Sequence, residues 1–544
     1  MTLTDPKRTI DALDEFMTII QSNSKSIIAS SAAIVLTACL ICATAGCGES
    51  VPTGNSLDVE QKIPDALEDQ FAETRQSIRD LMAEQGWPGL AIAVVDRDRV
   101  LWSETFGVRD NDTRAPITSD TVFNIGSITK TVAATAVMLA VQDGLVDLDT
   151  PITTYLPDFT VNSRWEGHPE QRITLRHLLN HTAGFTHEAP VGNNFDPASP
   201  SWADHLASIT DTWLKFPVGE RYAYSNLGVE TASYIVQEVS GLPFETFVNK
   251  RIFEPLGMRS SFVNTPTRNG SCDACATGQN NWYSQLPTYI PMEGAGGIRM
   301  TLDDATHYLQ FHLNRGRVGN EQVLGSQLID EMYRPSVQIA HNAPMLRYGL
   351  GVVLRGDFAD TYSVHHLGDG FGFSASMRWY PEYGIGAVTF INSVNRGPDW
   401  EIGTTLLMAM IEGGLVRKIN DPDIPSVDQF YEHVEATKRM HELSAPGESA
   451  YQQEWEEYVG RYCALQGAAY VLNPYVDTSS ECLHVFKEDG YLYHDGSLHP
   501  GGKHRPQRLV EHQRGLFFTE ISGEALDLRS DSPTFRNIAV RKIN

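Results

Sequence analysis

Apolar positions recur at helical spacing over residues 65–82, where Leu67, Phe71, Ile78, Leu81 and Met82 fall largely on one face, so an amphipathic helix is predicted there. The turn-forming Gly86-Trp87-Pro88-Gly89 ends it. Two β-rich runs follow at 90–95 and 100–106, joined by the charged Asp96-Arg97-Asp98-Arg99, which reads as a hairpin. Residues 127–143 form an apolar, alanine-rich helix stopped by Gly144. Loop-like stretches rich in Asn, Pro, Gly and Ser occupy 186–203 and 265–290. Strand-like runs return at 350–354, 374–380 and 385–391, and a helical pattern spans 399–411. Strands at both ends around a helical middle predict an α+β domain over 65–417 whose two ends join one antiparallel sheet.

Residues 418–450 are polar and carry Pro422, Pro425 and Pro446, reading as a linker or surface helix. Beyond them the period shortens: runs at 483–486, 491–493, 515–519, 525–528 and 537–540 alternate with turn residues, including Asp489-Gly490. This pattern predicts a small β-barrel or sandwich over 451–544.

The chain has 544 residues, 41% apolar and 20% charged, with 44 Gly and 28 Pro, the balance of a globular protein. Its formal charge of −26 repels polyanions over most of the surface, which argues against a nucleic-acid partner. Residues 27–46 carry no charge and follow Lys25, with Lys7 and Arg8 further out, the basic flank and apolar run of an export signal. A run of that length is also able to span a bilayer uncleaved. Two lipobox-like places, Leu36-Thr37-Ala38-Cys39 and Thr44-Ala45-Gly46-Cys47, offer Cys39 or Cys47 for lipidation. Cys47 is preferred, because acylation at Cys39 leaves apolar Leu40 and Ile41 opening the mature chain. Cleavage after Ala43-Thr44-Ala45 is the rival. Residues 1–47 are thus an export signal, lipoprotein signal or anchor, 48–64 a tether, and the protein is placed outside the cytoplasm, in the periplasm or cell envelope. Membrane contact is expected through this segment alone. Of the remaining cysteines, Cys463 with Cys482 and Cys272 with Cys275 are expected to form disulfides.

The sharpest chemical signal is Ser127-Ile128-Thr129-Lys130 at the start of the alanine-rich helix. Positions i and i+3 share a helix face, so the Lys130 amine reaches the Ser127 hydroxyl. A serine is a weak nucleophile until a base takes its proton, and lysine serves only when burial or positive neighbours lower its pKa. The motif is not unique, since Ser22-Asn23-Ser24-Lys25 also fits it. Two further elements supply context: Tyr224-Ser225-Asn226 before an apolar helix, and His366-Leu367-Gly368 in a glycine-rich turn leading to a strand.

With these motifs the chain resembles the serine β-lactamase and penicillin-binding-protein superfamily, in particular its class C-like branch, which also holds D-aminopeptidases, D-amino-acid peptidases, esterases and transacylases. The resemblance runs from about 85 to 415, with support at 173–184, at Glu254-Pro255-Leu256-Gly257-Met258 and at Ala295-Gly296-Gly297-Ile298. The segment from 450 resembles the small lipocalin-like domain often appended to such hydrolases. The resemblance implies that Ser127 attacks a carbonyl carbon to form an acyl-enzyme, Lys130 and Tyr224 share the general-base role, and Tyr224 returns a proton to the leaving group. It implies that Asn226 orients substrate and Lys130, that the backbone N–H groups of Ser127 and Asp369 form the oxyanion hole, and that no metal or cofactor is required. Where β-lactamases carry Lys-Thr-Gly, this chain has His366-Leu367-Gly368. A histidine offers no fixed cation for a substrate carboxylate, which points to a small peptide, amide or ester substrate and puts efficient penicillin hydrolysis in doubt; a β-lactamase proper, and a non-catalytic sensor of peptidoglycan fragments or β-lactams, are the alternatives.

Blander readings stand beside these. Tyr224 and Asn226 make a turn before a helix, and His366 alone is more often structural. His177 and His181, spaced i, i+4 with His187 nearby, have the spacing of zinc ligands on a helix but lack an intervening HExxH glutamate. Gly372-Phe373-Ser374-Ala375-Ser376 falls short of a GxSxG elbow, so Ser374 is not the expected nucleophile.

Overall fold

The computed structural model describes residues 65–192, 200–265, 272–279, 291–340, 343–370, 372–394, 401–437 and, toward the C-terminus, 453–464, 482–488, 491–496, 507–514, 516–519, 525–529, 534–535 and 538–543. The apolar stretch 27–46, Cys39, Cys47 and the Ser22–Lys25 motif lie outside the described residues. Among the described residues no helix is long and apolar enough to cross a membrane.

The chain opens with helix α1 (Asp65–Gln85), then the hairpin β1 (Gly89–Asp96) and β2 (Val100–Gly107). A short strand β3 (Val122–Asn124) leads into α2 (Thr129–Gln142). After α3 (Leu175–Leu179) and α4 (Asn226–Ser240) come β4 (Phe262–Val263), β5 (Ile298–Thr301) and α5 (Leu302–Leu313). Six strands follow: β6 (Val337–Ala340), β7 (Ala343–Tyr348), β8 (Val353–Phe358), β9 (Thr361–Gly370), β10 (Phe373–Tyr380) and β11 (Ile385–Ile391). Helices α6 (Ile402–Glu412) and α7 (Val427–Thr437) complete this part.

The main sheet is antiparallel, in the order β2-β1-β11-β10-β9-β8-β7-β6. Leu90 pairs with Ile391 and Asp96 with Ile385, so the two ends of the domain meet in mid-sheet, as the strand distribution predicts. Successive side chains of β1 point to opposite faces. Leu90, Ile92 and Val94 pack with Leu67, Phe71 and Ile78 of α1 and Leu406 and Met410 of α6. Ala91, Ala93 and Val95 join the larger core, with Val132, Ala136 and Val137 of α2 and Leu309 of α5. A strand covered on both faces reads as the continuous apolar run seen at 90–95. A small sheet in the order β3-β5-β4 braces the start of α2.

Two expectations change. The run 350–354 is mostly a turn: Gly349 N–H donates to Val352 O at 2.9 Å, and Gly351 has φ +69°. Leu350 and Val352 are apolar because the turn is buried against the core, and β8 starts only at Val353. The stretch read as a linker or surface helix contains α7, whose Val427, Phe430 and Val434 belong to the main core. Phe430 stacks on Tyr362 at 5.5 Å between ring centroids, and Arg347 donates to Val434 O at 2.9 Å.

The C-terminal strands close into a barrel in sequence order: β12 (Gly460–Ala464), β13 (Cys482–Glu488), β14 (Tyr491–Gly496), β15 (Gln507–Gln513), β16 (Leu516–Thr519), β17 (Ala525–Asp527), β18 (Thr534–Phe535) and β19 (Ile538–Ile543). Trp455, Tyr462, Leu483, Val485, Leu492, Leu509, Phe517 and Leu526 form its core. Cys482 is disulfide-bonded, and Cys463 lies directly opposite it in the strand register. The Cys272–Cys275 disulfide is present.

Candidate active site

Ser127 sits in a single 3-10 turn, Gly126–Ile128, that runs straight into α2. Asn124 Oδ1 accepts the Gly126 N–H at 2.8 Å, and Gly126 takes φ +51°, a left-handed conformation that side chains disfavour. The next helix, α2, is buried on all sides from Thr129 to Ala140, which is why its sequence is apolar throughout. Lys130 is carried into that interior and is fully buried.

The Lys130 amine donates to Ser127 Oγ at 3.0 Å and to the Ala295 carbonyl oxygen at 2.7 Å. Burial disfavours its charged form and brings its pKa down to about 7, while Glu230 and Glu188 push the other way. The Tyr224 and Ser127 hydroxyls share a hydrogen bond; burial raises the Tyr224 pKa well above that of a free phenol, and Glu188 adds to the rise. The Lys130 amine lies 4.9 Å from the centre of the Tyr224 ring. Burial therefore drives both groups to their uncharged forms, a neutral amine and a protonated phenol.

Tyr224 is held by aromatic neighbours: the His181 ring at 4.5 Å and the His187 ring stacked at 5.6 Å. Ser225 caps α4, its hydroxyl accepting the Gly228 N–H and donating to Thr186 O at 2.6 Å. This cap sets Asn226 as the first helical residue, with its amide donating to Glu188 Oε1 at 3.3 Å. Glu188 also meets His187 Nδ1 at 2.7 Å. The described part of the 186–203 loop thus reaches the site through His187 and Glu188.

The end of β9 lies directly against the nucleophile turn. A Cβ on Gly368 would stand 1.9 Å from Ile125 O, and one on Gly126 would stand 2.6 Å from Asp369 N. The two glycines permit a backbone-to-backbone approach that puts the Asp369 peptide beside the turn holding Ser127. His366 is buried on the same strand. Its Nδ1 lies 2.7 Å from the Leu367 carbonyl oxygen, which only accepts, so this nitrogen carries the proton. Nε2 then accepts the Tyr348 O–H at 2.8 Å. Burial and the nearby Lys130 hold the His366 pKa down to about 3, so the ring is neutral.

The structure thus brings together Ser127, Lys130, Tyr224, Asn226, His366 and Gly368. It separates His177 from His181: α3 ends at Leu179 and His181 takes φ +61°, so the i, i+4 relation is lost. His177 Nδ1 accepts the Thr174 N–H, and no metal-holding cluster occurs among the described residues. Ser374 lies buried on β10 and donates to Asp369 Oδ1 at 3.2 Å. Glu188, Glu230 and Tyr348 were not singled out from the sequence, and His181 was singled out only for its zinc-ligand spacing. The available signal was a carboxylate within the apolar start of α4, where Leu227, Val229 and Ala232 surround Glu230.

Against this geometry the chain was compared with known proteins. The sequence profile described as Beta-lactamase matches residues 74–409. The unguisins hydrolase ungD' of Aspergillus campestris is 26% identical over 367 residues, which cover 64% of this chain and 65% of that protein's length. The Beta-lactamase of Escherichia coli (strain K12) is 27% identical over 299 residues, 55% of this chain and 72% of its own. Among solved structures, the octameric penicillin-binding protein homologue from Pyrococcus abyssi superposes with a TM-score of 0.55 at 22% identity, covering 87% of this chain and 96% of that one. The profile spans more than half of the sequence and encloses every residue of the Ser127 cluster, so the chain belongs to the Beta-lactamase family of serine hydrolases.

Proposed function

We propose that the protein is an exported serine hydrolase that forms an acyl-enzyme on Ser127 and cleaves amide bonds in small peptides carrying D- or otherwise unusual residues. Linearised non-ribosomal peptides such as opened microcystins are a narrower version of that substrate class. Esters of the same acyl groups are the alternative. The observation that carries the reading is the buried Lys130 amine at 3.0 Å from Ser127 Oγ.

Lys130, its pKa lowered to about 7, accepts the Ser127 proton in its neutral form as Oγ attacks the carbonyl carbon. The negative charge that develops on the carbonyl oxygen is met by the N–H groups of Ser127 and Asp369. Tyr224, whose phenol stays protonated, hands its proton to the departing amine and recovers one from Lys130. Water then enters by the reverse route and releases the acid. Asn226, tethered to Glu188, orients the substrate amide.

The amide and ester preference over penicillins rests on His366. Its two nitrogens are occupied by Leu367 O and the Tyr348 hydroxyl and the ring is uncharged. A substrate carboxylate therefore finds no fixed cation at this position.

The test is intact mass and peptide mapping of the protein after a fluorophosphonate probe, followed by turnover of D-aminoacyl anilides and the matching esters. A single adduct on Ser127, and a loss of turnover of about 10²–10⁴-fold in both Ser127→Ala and Tyr224→Phe, is expected. Full activity in either variant, or no adduct on folded protein, removes the mechanism.

A further inference from the structure

A second carboxylate layer lies behind Lys130, in a place the mechanism above does not use. Glu230, on α4, is fully buried. Its Oε1 accepts the Ala295 N–H at 2.6 Å. Its Oε2 accepts the Trp202 indole N–H at 2.6 Å and the Gly294 N–H at 3.3 Å. Burial, with Glu293 adding to it, pushes the Glu230 pKa up to about 8, while all three of its partners are donors and pull it back toward the carboxylate form. The Ala295 residue whose N–H Glu230 grips is the one whose carbonyl receives the Lys130 amine at 2.7 Å. The approach is tight: a Cβ on Gly294 would stand 2.0 Å from Ser233 Oγ on α4. The far side of the same turn is held by Gly296 N–H on Met292 O at 3.0 Å and by Ile298 N–H on Thr129 Oγ1 at 3.1 Å.

From this geometry we propose that Glu230 is a positioning residue for the base. Through the Gly294 and Ala295 amides it sets the carbonyl that orients the Lys130 amine, and it supplies the counter-charge for the ammonium that Lys130 becomes on taking the Ser127 proton. The inference rests on the role given to Lys130 above and deepens it.

The groups facing Lys130 from the packed elements are Tyr224, Glu188 on the 186–203 loop, His181 after α3, His366 on β9 and Glu230 on α4. Glu293 faces Glu230 from the turn. His181 and His366 are held neutral by burial, and Tyr224 keeps its proton. Negative charge on Lys130 therefore comes from Glu230 and Glu188. Removing the first leaves the second, so the lysine becomes easier to deprotonate but does not lose all compensation.

The experiment measures the second-order rate of fluorophosphonate labelling of the full-length protein from pH 5 to 9. In that step the Ser127 Oγ–P bond forms, the P–F bond breaks, fluoride leaves and the Ser127 proton passes to Lys130. In Glu230→Gln the maximum rate is expected to fall about 10–100-fold, and the acid limb to move about one pH unit lower, since a lost negative charge favours the neutral amine. Glu230→Asp keeps the charge with a shorter reach and should restore the limb while the maximum stays low. A Glu230→Gln profile within twofold of the wild type overturns the proposal. So does a lower maximum at an unmoved limb, which is the signature of packing damage alone. If Glu230→Gln does not fold, Glu230→Asp decides: a wild-type maximum refutes positioning. Wild-type protein that is folded but unlabelled at Ser127 fails at the earlier step, and refutes the acyl-enzyme reading itself.

Discussion

Lys130 and His366 are both buried, and the lysine acts on the charge of the histidine, yet burial gives them opposite uses. Losing charge turns the lysine into a base able to accept a proton near neutrality, and turns the histidine into a fixed dipole that titrates only in strong acid. The acid limb of kcat/KM is therefore assigned to Lys130. A group that must be deprotonated to act, with its pKa lowered to about 7, gives a rate that rises through pH 7 and then levels. His366→Asn should leave that limb in place even where it lowers the plateau, and a limb that vanishes in this variant would transfer the titration to the imidazole. The closeness of Ser127 and Lys130 was legible because their i, i+3 spacing has a physical reason, whereas Tyr224 was reached only through the family resemblance. Glu230 and Glu188 were not legible, because a single acid in a loop or on a helix says nothing until the fold reveals which amides and amines surround it.

Between elements, the site depends on how closely β9 meets the turn before α2. Gly368→Ala would push a methyl group into the Ile125 carbonyl oxygen, a contact of 1.9 Å in the present backbone. The expected result is a stability loss of about 1–3 kcal/mol, as for overpacking elsewhere. A much larger loss of acylation is expected, because the Asp369 N–H moves away from the developing oxyanion. Denaturant unfolding read beside labelling rate separates the two, and an Ala variant with wild-type labelling would dismiss the close approach as a requirement. Of the strands that the sequence revealed, β1, β10 and β11 are buried on both faces, and β2 is an edge strand that shows itself through its pairing run beside β1. Those it concealed, β6 to β9, mix Arg, His, Gln and Asp into their alternation, as in Arg347 and His365. Arg347 and His365 are buried, Arg347 donating to Val434 O, while others such as Arg355 and Asp369 are exposed, so the composition reads as loop. Helix α7 was obscured for a related reason: its buried Val427, Phe430 and Val434 stand among acidic residues and follow two prolines.

On the scale of the whole molecule, the described cores are built from two periods: two cores in the layered helices and sheet up to α7, and one in the alternating strands of the barrel. Trp213, just after the short helix Trp202–Ala207 and the turn Ser208–Asp211, meets His512 of β15 edge to face at 5.3 Å, so the barrel touches this segment. The deeper connection lies within the layered part, where the pairing of Leu90 with Ile391 closes the sheet. A chain ending before β11 contains Ser127, Lys130, Tyr224 and His366, but leaves β1 and β10 each without a strand between them. Such a truncation is expected to show no fluorophosphonate adduct, and labelling of it at the wild-type rate would contradict the closure argument. During synthesis, then, the nucleophile emerges from the ribosome long before the strand that completes its surroundings. Because pairing over this sequence distance is slow and needs residues 385–391 to be made first, the polypeptide is expected to stay chemically silent while it is still being made. On the proposed mechanism, its reactivity waits for the last piece of the sheet to arrive.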